Sequence, residues 1–160
     1  MSATATEPPQ RPRAPILVVG VGSPLRGDDA AGRYLVEHLA ELELANVATR
    51  SVHQLTPELA ADWVGRELVV IVDADVEVAR PTLRSIERPP VAALMSHHSD
   101  PAALYATAAL LGEPPERLEV LSLPAADLAL GTELSTLAAS AVEQAVALLC
   151  ERLLPAAAAV

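Results

Sequence analysis

Residues 16–32, which read ILVVGVGSPLRGDDAAG, decide the fold class of this 160-residue chain. Ile16 to Val19 form a continuous aliphatic run, which predicts a strand buried on both faces because the run does not alternate with polar residues. A glycine-rich loop follows from Gly20 to Gly27, and apolar residues at helical spacing begin after Asp28 or Asp29. A strand, a loop and a helix in this order are typical of the first unit of an α/β domain.

The same alternation continues along the chain. Further strands are predicted at 47–53, 68–72, 83–86 and 118–123, and helices at 56–65 and 99–112, with a last helix capped by Thr132. We therefore expect a three-layer α/β/α sandwich around a mainly parallel sheet of about five strands. Residues 15–154 are predicted to form this single domain, between a disordered lead at 1–14 and a frayed tail at 155–160.

Composition and charge exclude several classes of function. A net charge of −10 disfavours nucleic acid as a partner. A single cysteine, Cys150, excludes an internal disulfide. No apolar run is long enough to cross a membrane, and the N-terminus has no apolar segment of the secretory type. We therefore expect a cytoplasmic protein that contacts neither nucleic acid nor membrane.

Acidic and imidazole side chains follow three of the predicted strands. In open α/β sheets, ligands bind outside the carboxyl ends of the strands, so these side chains are expected at one edge. They are Asp28 and Asp29 after the first strand, Asp73 and Asp75 at the end of the third, and His97 and His98 after the fourth. Carboxylates with an imidazole and no thiolate suit divalent nickel, zinc or manganese.

Several of these residues also have a purely structural interpretation. Asp28 is well placed as a helix N-cap, and Asp29 taken alone is slightly more easily explained by the helix dipole. Asp73 is different, because a carboxylate directly after four aliphatic residues is unfavourable unless it is paired or used. One of His97 and His98 is expected to be an idle loop residue. His38 and His53 are interpreted as surface or satisfied residues.

The loop from Gly20 to Gly27 does not complete a nucleotide-binding motif. The dinucleotide pattern GxGxxG needs a third glycine where Leu25 stands, and the chain contains no lysine for a P-loop. The nucleophile pattern Gly-x-Ser-x-Gly is also missing. We therefore expect no nucleotide cofactor and no serine nucleophile.

Taken together, these segments resemble the opening and the later motifs of the nickel–iron hydrogenase maturation endopeptidases. The similarity begins with residues 16–32 and continues through His53 to Leu59, the strand ending in Asp73-Ala74, and the loop Ser96-His97-His98. It spans about residues 15–150, and its specificity lies in the combination. The chain departs from the family pattern at Ser23, where the family has asparagine, and at Ala30, where it has glycine.

The resemblance implies an α/β/α protease that removes the C-terminal extension of a nickel-loaded hydrogenase large-subunit precursor. It implies Asp29 and Asp73 as catalytic residues that also contact the metal, together with His97 or His98, between which the sequence does not choose. Ser23 takes the position of the family's loop asparagine and is the expected substrate-binding residue. The nickel is expected to arrive within the precursor, and to polarise the scissile carbonyl or to activate water.

The same ligands would also serve a different class of protein. A non-proteolytic checkpoint protein could bind the nickel-loaded precursor without cutting it. The sequence leaves this alternative open, because it contains no evident nucleophile whose presence would require proteolysis.

Overall fold

The strand predicted from the aliphatic run lies at the centre of the molecule. The structure, a computed structural model, describes residues 13–90 and 100–158, with side chains described to residue 154. Strand β1 is Ile16–Val21, and all six of its residues are buried. Residues 1–12 of the predicted lead at 1–14 lie outside the described residues, and so do the two histidines of the loop, His97 and His98.

The other elements follow in the order that the sequence predicts. A 3₁₀ turn at Gly27–Ala30 leads into helix α1, and a second at Pro57–Leu59 leads into helix α2. The helices are α1 Ala31–Glu41, α2 Ala60–Trp63, α3 Pro101–Leu111 and α4 Thr136–Ala158. The strands after β1 are β2 Val47–Val52, β3 Leu68–Asp75, β4 Thr82–Ile86 and β5 Arg117–Pro124.

The sheet has five strands in the order β2-β1-β3-β5-β4. The pairs β1–β2, β1–β3 and β3–β5 are parallel, and β4 pairs antiparallel with β5. The predicted mainly parallel sheet is therefore confirmed.

Two apolar layers cover the faces of the sheet. Alternate residues of a strand point to opposite faces, so Ile16 and Val18 pack with helices α1 and α4. Leu17 and Val19 pack on the other face, with helices α2 and α3 and the fully buried Trp63. These two clusters make the three layers of the predicted α/β/α sandwich. None of the helices in the described ranges combines the length and apolarity needed to cross a bilayer.

Helix α1 lies unusually close to the sheet because glycines stand at the contact. A Cβ atom on Gly32 would collide with the carbonyl oxygen of Val72, and one on Gly20 would collide with the carbonyl oxygen of Gly32. The start of α1 therefore rests directly on the backbones of β1 and β3, with no side-chain layer between them.

The last helix begins later than predicted. It starts at Thr136, and its N-cap is Ser135, whose Oγ accepts a hydrogen bond from the Ala138 N–H at 3.2 Å. The predicted cap, Thr132, is wrong because the segment before Ser135 is held by the 3₁₀ turn, as described below. The backbone stays helical to Ala158, so it includes residues 155–158 of the predicted tail.

Candidate active site

The candidate site lies where the order of the strands reverses. Strand β1 has β2 on one side and β3 on the other, so the connections leaving β1 and β2 run in opposite directions across the sheet. Such a switch point opens a crevice at the carboxyl ends of the strands. Asp29, in the turn after β1, and Asp73, near the end of β3, both line the cleft at this position. The structure thus brings these two predicted site residues together.

The loop after β1 fixes the position of Asp29. The Ser23 backbone N–H donates a hydrogen bond to Oδ2 of Asp29 at 2.7 Å. Gly22 has a φ of +142°, and a Cβ there would collide with the carbonyl oxygen of Asp29. Only glycine allows the loop to pack this closely on the turn. One carboxylate oxygen of Asp29 is thus held by the loop, and the side chain is only partly buried.

The predicted substrate-binding residue, Ser23, lies in this loop and is half-buried. Its Oγ accepts a hydrogen bond from the Leu25 N–H at 3.3 Å. In the described structure its hydroxyl therefore belongs to a turn of its own loop, and its role toward substrate stays a prediction.

Asp73 has a strongly perturbed pKa. Burial, together with the nearby negative charges of Asp29 and Asp75, raises the pKa of Asp73 to about 6, although a hydrogen bond with the Ala74 backbone acts to lower it. Crowded carboxylates of this kind bind a proton or a cation to relieve their repulsion. The raised pKa agrees with the sequence argument that a carboxylate directly after four aliphatic residues is unfavourable unless it is paired or used.

The two carboxylates open onto a cleft with a volume of about 400 Å³. Its wall combines apolar strand residues with polar residues from the ends of the strands. The polar and charged residues of this wall are Asp29, His53, Gln54, Asp73, Asp75, Arg84 and Ser122. A cleft of this size and mixed polarity can hold a short stretch of polypeptide.

Sequence reasoning missed the position of His53. It is exposed, as expected for a surface residue, but it lines the same cleft as Asp29 and Asp73. The signal was present in the sequence, because His53 directly follows β2, just as the acidic residues follow β1 and end β3. The rule that places ligands at the carboxyl ends of parallel strands applies to it equally.

The metal-binding set predicted from the sequence is only partly described. Its carboxylates, Asp29 and Asp73, face one cleft, whereas His97 and His98 lie outside the described residues. Within 13–90 and 100–154, no group of three His, Cys, Asp or Glu side chains is arranged to hold a metal ion. The donors that line the cleft are carboxylate oxygens and the His53 imidazole, a chemistry that suits a divalent transition metal.

Asp28 does not act as the predicted N-cap. No side chain caps the 3₁₀ turn, and Asp28 is fully buried, with its carboxylate directed to the segment before α4. Burial acts to raise the pKa of Asp28, but hydrogen bonds from Ser135, Ala126 and Asp127 outweigh it and lower the pKa. The two adjacent acids therefore differ: Asp29 faces the cleft, and Asp28 joins two loops.

Solved structures of hydrogenase maturation proteases are similar to this chain. The hydrogenase maturating endopeptidase HybD from E. coli matches with a TM-score of 0.68 and 26% identity, over 86% of this chain and 91% of that chain. A hydrogenase 2 maturation peptidase from a Thaumarchaeota archaeon matches with a TM-score of 0.65 and 26% identity, over 86% and 97% of the two chains. The NiFe hydrogenase maturation protease HybD from Thermococcus kodakarensis shares the fold, with a TM-score of 0.61 and 23% identity over 85% and 97%. No protein-family model and no curated protein sequence matches the chain.

Proposed function

We propose that this chain, a member of the hydrogenase maturation endopeptidases, removes the C-terminal extension of a hydrogenase large-subunit precursor that already carries nickel. The observation that supports this most directly is the pair Asp29 and Asp73, which line one cleft in a chain with the fold of those proteases. The nickel belongs to the substrate in this proposal, and it identifies the position of the cut.

The two carboxylates have different tasks in the proposed reaction. Asp29 is held by the Ser23 N–H through one oxygen, so it presents a fixed negative charge to the incoming nickel. Asp73 contacts the nickel through one carboxylate oxygen, and its other oxygen is free to accept a proton from the attacking water. The same carboxyl group can then return that proton to the amine that leaves. His97 or His98 would complete the contact with the metal.

The first experiment tests cleavage directly. The purified protein is incubated with nickel-loaded precursor, and the mass of the large subunit is followed by mass spectrometry. We expect wild type to release the extension and Asp73→Asn to release none while remaining folded. The matched control is Asp75→Asn, which removes a charge from the same strand end. Asparagine can keep the hydrogen bond that the Asp75 Oδ1 accepts from the Glu77 N–H at 2.9 Å. The charge of Asp75 raises the pKa of Asp73, so we expect this variant to retain cleavage with its pH dependence shifted to lower pH.

Two outcomes of that experiment would contradict the proposal. Stoichiometric binding of the precursor with no change in subunit mass would favour the non-proteolytic checkpoint protein. Cleavage by Asp73→Asn at the wild-type rate would show that the Asp73 carboxylate is not needed for the reaction.

The second experiment tests when nickel is required. Only two carboxylates and one histidine are proposed as protein ligands, so the free enzyme should bind nickel weakly and the precursor should supply the remaining ligands. We expect metal-free enzyme to cut nickel-loaded precursor and to leave apo precursor uncut. Equal cleavage of both precursors would refute the requirement for nickel. Submicromolar nickel binding by the enzyme alone, measured by calorimetry, would indicate a resident metal instead.

A further inference from the structure

Two loops beside the cleft are joined by a buried carboxylate. We call residues 23–27 and 125–135 the loop pair. Oδ2 of Asp28 accepts hydrogen bonds from the Ala126 N–H at 2.7 Å, the Asp127 N–H at 3.0 Å and the Ser135 hydroxyl at 2.7 Å. Oδ1 accepts from the Ser135 N–H at 2.7 Å. A fully buried carboxylate with four donors fixes both loops in one geometry.

The backbones of the loop pair are also bonded to each other. The Gly27 N–H donates to the Gly131 carbonyl at 3.0 Å, and the Gly131 N–H donates to the Leu25 carbonyl at 2.9 Å. Gly27 has a φ of +53°, and a Cβ there would lie 2.6 Å from the Asp127 carbonyl oxygen. These contacts make the loop pair a single preorganised surface.

This rigid surface carries two leucines that face solvent. Leu130 is 87% exposed and Leu25 is 60% exposed, and the backbones of the segments that carry them are in direct contact. Leu128, on the same segment, is 36% exposed. The bonds of the loop pair hold the backbone from which these side chains project. Exposed apolar residues grouped on a rigid surface are typical of interaction sites.

The loop pair is continuous with the cleft. The Leu25 N–H donates to Ser23 Oγ, and the Ser23 N–H donates to the Asp29 carboxylate. Ser23 thus links Leu25 to the Asp29 carboxylate. An extended polypeptide advances about 3.3 Å per residue, so a substrate chain at Asp29 is within a few residues of the leucines.

We propose that Leu25 and Leu130 form the surface on which the hydrogenase precursor docks, an inference that rests on the proposed function. Exposed carboxylates of Asp127 and Glu133 lie on the 125–135 loop, and the exposed Arg26 lies beside Leu25. Acidic groups thus outnumber basic ones on the loop pair, so the complementary precursor surface is apolar at its centre with mainly Arg or Lys at its rim. A second copy of this chain fits poorly, because a symmetric dimer would bring the same acidic loops together, and each copy carries a net charge of −10.

The experiment compares two double variants. Leu25→Ser with Leu130→Ser removes the proposed surface. Leu110→Ser with Leu111→Ser is the matched control, because these leucines are 60% and 57% exposed at the end of α3 that lies away from the cleft. We expect the first variant to raise KM for nickel-loaded precursor by about 10- to 100-fold, with a smaller effect on kcat. The control should change KM by less than about twofold, and thermal melts should show both variants folded.

Three results would overturn the docking surface. The first is an unchanged KM in the Leu25/Leu130 variant. The second is an equal rise in KM in the control. The third is wild-type dimers in sedimentation that the Leu25/Leu130 variant abolishes while KM stays the same, because the surface would then serve self-association. If the Leu25/Leu130 variant unfolds, Leu130→Ala alone provides the same comparison.

Failure of the proposed function is distinguishable from failure of this inference. If wild type binds the precursor without cutting it, the affinities of wild type and the double variants for nickel-loaded precursor are measured by interferometry. A loss of affinity limited to the Leu25/Leu130 variant would then support docking without proteolysis, and equal affinities would overturn it.

Discussion

Replacing Asp28 by asparagine tests the carboxylate that joins the loop pair. Asp28 accepts all four of its side-chain hydrogen bonds through its two carboxylate oxygens, whereas the asparagine side chain has only one oxygen that can accept. If that oxygen takes the Oδ2 position, it keeps three donors, and the amide NH₂ then faces the Ser135 N–H. One charge-assisted bond is lost, about 1.5–3 kcal/mol, and the three that remain become weaker neutral bonds. A neutral group is easier to bury, which offsets part of the loss. We therefore expect a net destabilisation of about 2–4 kcal/mol.

Urea unfolding followed by circular dichroism measures this difference. The matched control is Asp127→Asn, because Asp127 is exposed and its carboxylate accepts from the Ala129 N–H within the same loop at 2.9 Å. The control should lose less than about 1 kcal/mol. An Asp28→Asn protein within about 0.5 kcal/mol of wild type would show that the four bonds contribute little to stability.

The difference in unfolding free energy between wild type and Asp28→Asn should also depend on pH, and the direction of that dependence can be worked out. The pKa of Asp28 is lower in the folded protein than the ordinary value of an aspartate in an unfolded chain, so the unfolded chain binds a proton more readily. The stabilisation is therefore fully present above about pH 4 and is lost as the pH falls through the lower folded pKa. Because asparagine does not titrate, the difference in unfolding free energy between wild type and Asp28→Asn should become smaller below pH 4.

Three further perturbations test other parts of the structure. Asp73→Asn should gain stability relative to wild type, on the order of 1–3 kcal/mol, between pH 4 and pH 8. The reason is that the folded pKa of Asp73 is raised to about 6, so wild type loses stability as that carboxyl ionises. If urea titrations gave the same difference in unfolding free energy between the two proteins at pH 4 and at pH 8, this reasoning would be wrong. Gly32→Ala should destabilise the fold by about 1–3 kcal/mol despite the better helix propensity of alanine, because its Cβ would collide with the Val72 carbonyl oxygen. A variant that melts at a higher temperature than wild type would show that α1 can shift to make room for the Cβ. Arg152→Met should lose about 2–4 kcal/mol of unfolding free energy in urea, because the Arg152 Nε–H donates to the Glu119 carboxylate at 2.9 Å. The variant leaves that carboxylate without its main partner in a residue that is only 1% exposed. The double variant with Glu119→Gln should recover part of the lost stability, and no recovery would argue against the ion pair.

The order of elements could be predicted from the sequence because local patterns determine it. The aliphatic runs at β1 and β3 are short and rich in β-branched residues, which favours strands over helices, and Pro57 and Pro101 begin their helical segments as expected. The shared position of Asp29 and Asp73 followed from a rule about parallel strands rather than from any local motif. These predictions needed only the chain order and the direction of the strands.

The role of Asp28 could not be predicted, because its partners are about 100 residues away in the sequence. An acidic residue before a helix is most often a cap, and local reasoning therefore favoured that interpretation. The cap of α4 was misplaced for the same reason, since Ser135 is selected by its bond to Asp28 rather than by its neighbours. Contacts between distant segments leave no periodic pattern in either of them.

The glycine contact between α1 and the sheet has a consequence for metal selectivity. Asp29 precedes α1, and Asp73 follows Val72, whose carbonyl oxygen α1 touches through Gly32. The spacing between the backbones that carry the two carboxylates is therefore set by a direct backbone contact. Under the function proposed above, a backbone held in this way would restrict the metal–oxygen distances that Asp29 and Asp73 can reach. The protein would then favour cations whose ionic radius and preferred bond length match that spacing.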